Sequence, residues 1–242
     1  MKYILIIPAR YKSSRLMGKP LIKIDGIPML IRTVNQCKKA IDPKLIYVAT
    51  DDKRIERLCK KENVNVIMTS KKCLTGTDRV LDVSKKIYAK TYINVQGDEP
   101  VINPEDIKKI ISLSQKSNKD ILTGYCKIST KKMYRSLNVP KVVFSKNKDL
   151  LYASRAPIPS NKLKKFYEAN RQVCIYSFPR AILKKFSSNK KTPLERNEDI
   201  EYLRFLEKGI NIKCIKMSNK SISVDVLSDI SEVKKAIKER DL

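Results

Sequence analysis

The sequence predicts an α/β protein with a mostly parallel central sheet and helices on both faces. Strand-like runs rich in Ile, Val and Tyr recur along the chain. The stretches between them are long enough for helices, with apolar residues at three- and four-residue steps. Unusual polar residues also follow the strands: Arg10 after YILII, Asp51 and Asp52 after IYVAT, Asp98 and Glu99 after YINV. Ligands gather at the carboxyl ends of strands in sheets of this kind.

In order, YILIIPA is the first strand and PMLIRTVNQCKKA the first amphipathic helix. KLIYVATD and NVIMT follow as strands, DRVLDVSKKIYA as a helix and YINVQGD as a strand, then a long polar helix and the strand DILTGYCKI. The pattern changes near residue 138. PKVVFSKNKDLLYASRAPIP reads as two strands about a turn at KNKD, stopped by prolines that cannot continue a ladder. SNKLKKFYEANR reads as a loop with some helix and QVCIYSFPR as a strand. PLERNEDIEYLRFLEKG reads as one helix stopping at Gly209, and INIKCIKM and SISVDV as late strands. No linker or internal repeat divides the 242 residues, so a single domain is expected over 1–242, its later half extending the sheet and closing the cleft.

Composition narrows the chemistry. No apolar run approaches a membrane span, and MKYILII lacks the length and cleavage site of a secretory signal, so a cytoplasmic protein is expected. Six scattered cysteines show neither a CxxC pair nor zinc-like spacing, which points to free thiols. There is no histidine, which removes Ser-His-Asp and Cys-His nucleophiles and HExxH zinc sites. Carboxylates, lysines, arginines, hydroxyls or an oxygen-held metal must do the work. The net charge of +27 raises a basic nucleic-acid-binding module as a rival. Its lysines are spread along the chain, however, with no RNP-like aromatic motif or zinc finger.

Three segments carry candidate chemistry. IIPARYKSSRLMGKP gathers Arg10, Lys12, Arg15 and Lys19 around Ser13, Ser14 and Gly18; it suits a triphosphate or is an ordinary solvated loop. It is neither a P-loop nor a GxGxxG turn. NVQGDEP sets two acids after a buried strand, where Asp98 could hold Mg²⁺ or cap its own turn. SISVDV ends near Asp225, which could meet Asp98 across the cleft.

Taken together, IIPARYKSSRLMGKPL, LTGTDR, NVQGDEP and SRAPIP, in that order, resemble the motifs of the CMP-Kdo synthetase family, the 3-deoxy-manno-octulosonate cytidylyltransferases. The resemblance spans nearly the whole chain. It implies a Rossmann-like nucleotidyltransferase fold with a smaller antiparallel extension, in which residues about 138–220 form a sugar-binding and dimerisation subregion of a homodimer. The implied reaction activates an acid sugar, Kdo or a close analogue, with CTP, giving the CMP-sugar and pyrophosphate for lipopolysaccharide or another surface glycan. By this resemblance Arg10, Arg15 and Lys19 hold the triphosphate, and Pro8, Ala9, Thr75, Gly76, Thr77 and Gln96 line the nucleotide pocket. Asp98 and Asp225 bind Mg²⁺, and Lys19, Arg10 and both acids form the catalytic set. Gln96, Arg155, Gln172, Tyr176, Glu198 and Tyr202 face the sugar, with Arg155 expected to grip its carboxylate by a forked pair of hydrogen bonds. A catalytically silent relative is the less economical reading, because both metal acids are kept.

The chain departs from the family pattern in places. Met17 replaces a proline, and Cys73 stands where a histidine is common. Gln172 and Cys174 replace His and Gly, and Tyr202 replaces Gln. The catalytic set is kept while the sugar-reading set has changed. Two explanations follow: compensating changes that preserve Kdo, or a different acid sugar such as 8-amino-Kdo or a sialic-acid-like ulosonic acid.

Overall fold

The computed structural model describes residues 1–12, 16–117, 119–186 and 190–242. Strand β1 (Tyr3–Pro8) lies inside the sheet because both its faces are apolar: Ile4 and Ile6 enter one core, Leu5 and Ile7 the other. After a small hairpin, β2 (Lys23–Ile24) and β3 (Ile27–Pro28), come α1 (Met29–Lys38), β4 (Ile46–Thr50), α2 (Lys53–Lys61) and β5 (Val66–Met68). Then follow α3 (Gly76–Lys86), β6 (Thr91–Val95), α4 (Pro104–Lys116), β7 (Ile121–Lys127) and α5 (Lys131–Arg135). The later half holds β8 (Lys141–Phe144), β9 (Leu150–Ser154), β10 (Asn170–Pro179), α6 (Arg180–Leu183), α7 (Pro193–Glu198), α8 (Leu203–Leu206), β11 (Ile212–Lys216) and α9 (Asp229–Arg240).

The main sheet runs β11-β7-β10-β6-β1-β4-β5. Strand β1 pairs in parallel with β4 and β6, β4 with β5, and β7 with β11. Strand β10 enters antiparallel between β6 and β7, and the β8–β9 hairpin joins its start. This is the expected α/β class with its antiparallel extension. Helices α1, α2 and α4 cover one face through Val34, Ile55 and Ile107, while α3 and α8 cover the other through Val80 and Phe205.

Helix starts are written locally. Asp52 accepts the Arg54 N–H at 2.9 Å, Thr75 and Asp78 form a reciprocal capping box, and Asn103 caps a helix with Pro104 in its first turn. Because β1, β4 and β6 are parallel, Pro8, Thr50 and Val95 end on the same edge. That edge carries the site.

Three expectations fail. Residues 193–209 are two helices, α7 and α8, because Asp199 adopts a left-handed backbone (φ 49°) that no continuous helix contains. The break lets the buried Arg204 turn back to Glu195 (2.7 Å) and reach Asp78 (2.9 Å) with its guanidinium over Phe186. Residues 221–226 form no strand: Val224 donates to the Asp98 carbonyl (3.0 Å), and its side chain packs with Ile24, Met29 and Val233. SNKLKKFYEANR contains no helix, and Asn161 instead organises its turn by accepting from Leu163 and Lys165. Helix α9 and the β2–β3 hairpin carry no counterpart in the sequence reading.

Arg204→Met leaves Glu195 and Asp78 without their shared cation, so it is expected to cost about 3–5 kcal/mol in urea unfolding. Loss below about 1 kcal/mol would assign the broken-helix geometry to the apolar packing alone.

Candidate active site

Three segments distant in sequence meet at one ammonium group. Gly18 takes a left-handed turn (φ 69°) and donates to the Tyr11 carbonyl at 2.9 Å, closing the base of the cationic loop. This aims Lys19 inward. Its Nζ donates to Asp98 Oδ2 (2.6 Å) and the Val224 carbonyl (2.6 Å) and lies 3.6 Å from Asp225 Oδ1. Asp98 is placed by the end of β6, where Gly97 passes so close to β1 that a Cβ would lie 2.8 Å from the Pro8 carbonyl oxygen. Asp225 is placed by Asp229, whose carboxylate accepts from the 225 and 226 N–H groups at 2.7 and 2.9 Å.

Around this junction lies a cleft of about 260 Å³. Of the residues expected there, Pro8, Ala9, Arg10, Lys19, Thr75, Gly76, Gln96, Asp98, Arg155, Gln172, Tyr176 and Asp225 line it. Arg10 is exposed at its edge. Thr77, Glu198 and Tyr202 stand behind the wall, and Arg15 lies outside the described residues.

Glu201 was not anticipated. Its carboxylate accepts from Gln96 Nε2 (2.6 Å) and from the Thr77 backbone N–H (2.6 Å), joining the β6 loop to the start of α3. Burial raises its pKa, and the Thr77 N–H works against that rise. Only the break at Asp199 brings Glu201 here, and no spacing in the sequence signals that break. Gly76 lies against the same pair: a Cβ there would sit 2.9 Å from Gln96 Nε2 and 3.4 Å from Glu201 Oε1.

At the other end, Arg155 is held by main-chain oxygens. Its Nε donates to Glu198 O (2.7 Å), one terminal nitrogen to Leu137 O (2.9 Å) and the other to Asp199 O (3.2 Å). The nitrogen that donates to Asp199 O also lies 4.0 Å from the Asp199 carboxylate, so the guanidinium is oriented before any ligand arrives. Glu198 serves as its seat, accepting from the Arg155 N–H (2.8 Å) and Ser154 Oγ (2.7 Å). The buried Gln172 bridges two tyrosines, donating to the Tyr176 hydroxyl and accepting from the Tyr202 hydroxyl at 3.3 Å.

Beneath the junction, the buried Glu99 accepts from Ser221 Oγ, and Arg171 donates to the Ser221 carbonyl (2.8 Å). This clamps the segment leading to Asp225 against the loop carrying Asp98. Burial raises the Glu99 pKa from 4.5 to about 7, opposed by the Ser221 hydrogen bond.

An α/β sheet with a cationic turn, a glycine-backed wall and paired acids at the strands' carboxyl ends defines a nucleotidyltransferase. The particular family follows from sequence: a profile described as cytidylyltransferase matches residues 4–217, and the chain belongs to that family. The 3-deoxy-manno-octulosonate cytidylyltransferase of Fusobacterium nucleatum is 38% identical, covering 100% of this chain and 99% of its own length. The Escherichia coli protein of the same name is 33% identical, covering 96% and 95%. A solved CMP:2-keto-3-deoxy-manno-octonic acid synthetase complexed with CTP superposes with a TM-score of 0.89 at 33% identity over 100% of both chains. A cytidylyltransferase from Leptospira borgpetersenii, at 19% identity and TM-score 0.65, shares the fold.

Two outcomes test this geometry. Unfolded Glu99 releases its proton before the folded form does, so its contribution to stability falls as pH rises from 4.5 to about 7 and stays low above that. Glu99→Gln removes this loss, so thermal and urea melts should show the variant gaining about 2–3 kcal/mol on the parent protein between pH 5 and pH 8. A pH-independent difference would contradict the buried acid. Gly76→Ala should lower kcat/KM for the sugar about tenfold and lower the melting temperature measurably, because Gln96 cannot retreat without taking a donor from the buried Glu201. Unchanged kinetics would show that this wall yields.

Proposed function

We propose that the protein joins CTP to Kdo, giving CMP-Kdo and pyrophosphate, and so supplies an activated acid sugar for lipopolysaccharide or a related surface glycan. The observation that carries this reading is the meeting of Lys19, Asp98 and Asp225 in a cleft backed by Gly76. The CTP-bound relative supports the nucleotide, and the names of the relatives support the sugar.

The anomeric hydroxyl of the sugar attacks the α-phosphorus of CTP and gives up its proton to water, and pyrophosphate leaves with the bonding electrons. This transfer asks the protein for positioning and charge neutralisation. Arg10 and Lys19 offset the triphosphate and then the leaving pyrophosphate. Pro8, Ala9, Thr75 and Gly76 form the wall for the cytidine, with Thr77 contributing its backbone behind them. Gln96, held by Glu201, orients the sugar beside the phosphate, and Arg155 takes its carboxylate.

The two acids fit Mg²⁺. Asp98 and Asp225 converge on one cationic point at Lys19 Nζ, and Mg²⁺ is ordinarily held by one or two carboxylates together with phosphates and water. Among the described residues no group of three or more acids or cysteines is arranged for a metal, so substrate and water would complete the shell. Asp98 and Asp225 would hold the ion, which supplies polarisation of the phosphoryl oxygen and a lower pKa for the attacking hydroxyl. Lys19 would then serve the phosphates.

Among the described residues no helix is long and apolar enough to cross a membrane. Action in the cytoplasm is part of this proposal. Residues 138–220, carrying Arg155, Gln172 and Tyr176, form the sugar-binding and dimerisation subregion in this reading, and the working unit is a homodimer.

Pyrophosphate release tests the assignment. Asp98→Asn and Asp225→Asn should each lower kcat by at least about a thousandfold while preserving the circular dichroism spectrum. Near-normal turnover by either variant would remove the metal acids from the mechanism. Lys19→Ala should cost far more than Lys12→Ala, which changes an exposed cation of the same loop. Equal losses would mean that the loop acts through bulk charge.

A further inference from the structure

We propose that Tyr202 is a positioning residue which, through Gln172, makes the sugar-facing wall of the cleft a hydrogen-bond donor surface, so that this wall receives a hydroxyl or carboxylate oxygen and turns away an ammonium group. The inference rests on the acid-sugar cytidylyltransferase reading and narrows its substrate.

Proton placement carries the assignment. Tyr202 is fully buried, and its hydroxyl meets Gln172 Oε1 at 3.3 Å. The phenol has one proton to place, and the Gln172 carbonyl is the acceptor that reaches it. Reversing the carboxamide would set an NH2 group against that hydroxyl and strand the phenol proton in the core. Tyr202 therefore fixes which end of Gln172 points where.

With its oxygen turned inward, Gln172 points Nε2 at Tyr176, whose hydroxyl oxygen accepts. The second Nε2 hydrogen has only the weak acceptor Cys174 Sγ, at 3.8 Å. Gln172, Cys174 and Tyr176 all line the cleft, where the ladder between β10 and β7 breaks register between Val173 and Tyr176. A break of this kind re-aims side chains beside a site. The Tyr176 hydroxyl is engaged with Gln172 and Cys174, so the spare carboxamide hydrogen of Gln172 is what this wall offers to a ligand.

The neighbouring acids do not supply a cation seat. Asp98 and Asp225 face Lys19, Glu99 accepts from Ser221 Oγ, and Glu198 accepts from Ser154 Oγ and the Arg155 N–H. Glu195 spends both oxygens on Arg204 at 2.7 Å, Glu201 receives Gln96 and the Thr77 N–H, and Asp199 pairs with Lys191 at 2.6 Å. Gln172 and Tyr202 touch one another, so they act on the cleft as one unit.

Pyrophosphate release with Kdo and with 8-amino-Kdo tests this. The parent protein should favour Kdo in kcat/KM by about tenfold or more. Tyr202→Phe removes one oxygen and frees the carboxamide to turn; it should raise KM for Kdo about fivefold, leave KM for CTP unchanged and narrow the ratio between the two sugars. Gln172→Glu, which replaces a donor by an acceptor, should shift the ratio further toward the amino sugar and keeps the test decisive if Tyr202→Phe folds poorly. Preference of the parent protein for 8-amino-Kdo, or a ratio unmoved by both substitutions, would overturn the inference and leave the cytidylyltransferase reading intact. Turnover of neither sugar in the presence of CTP would overturn that reading and this inference with it.

Discussion

Two carboxylates brought to one place repel each other unless a cation joins them, and in this protein the cation is Lys19. The contact ties the opening loop to the end of β6 and to the segment after β11, so residues 19, 98 and 225 become neighbours only when the whole sheet has formed. Gly18, Gly97, Asp229 and the Glu99–Ser221 contact all serve to aim its three members. The same charge balance gives the site its logic. On the proposed reading Asp98 and Asp225 would hold a divalent ion, and the Lys19 ammonium would then serve the phosphates. Fold and chemistry share one electrostatic requirement.

Much of this was legible in the sequence because it rests on local patterns. Buried strands such as YILIIP and TYINV announce themselves by continuous apolar residues, and parallel order sends Arg10 and Asp98 to the same edge. The meeting of Asp98 with Asp225 was legible as well, although through a motif resemblance more than through the strand assigned to SISVDV. That segment is held by a backbone hydrogen bond to Asp98, by side-chain contacts of Glu99, Arg171, Lys19 and Asp229, and by the packing of Val224 beneath α9. None of these contacts leaves a period-two signature.

What escaped the sequence depends on tertiary geometry. The break at Asp199 cannot be read from apolar spacing, because the residues on either side still favour helix; the buried Arg204 bridging Glu195 and Asp78 selects two short helices over one. Glu201 reaches Gln96 only as a result of that break. Arg155 was recognised as a cleft residue, yet its anchoring on three carbonyl oxygens comes from loops far apart in sequence. The high positive charge likewise has a partly structural placement: Lys38, Lys60, Lys61, Lys85, Lys86 and Lys116 sit in the last turns of α1 to α4, where the helix dipole favours cations.

The central claim is that the acids around Lys19 bind nucleotide and divalent ion together. Isothermal titration of CTP into the protein, with and without Mg²⁺, and into Asp98→Asn, addresses it most directly. The account predicts saturable binding that tightens at least about tenfold with Mg²⁺ in the parent protein and loses that enhancement in the variant. CTP affinity indifferent to Mg²⁺, or an enhancement that survives Asp98→Asn undiminished, would contradict it.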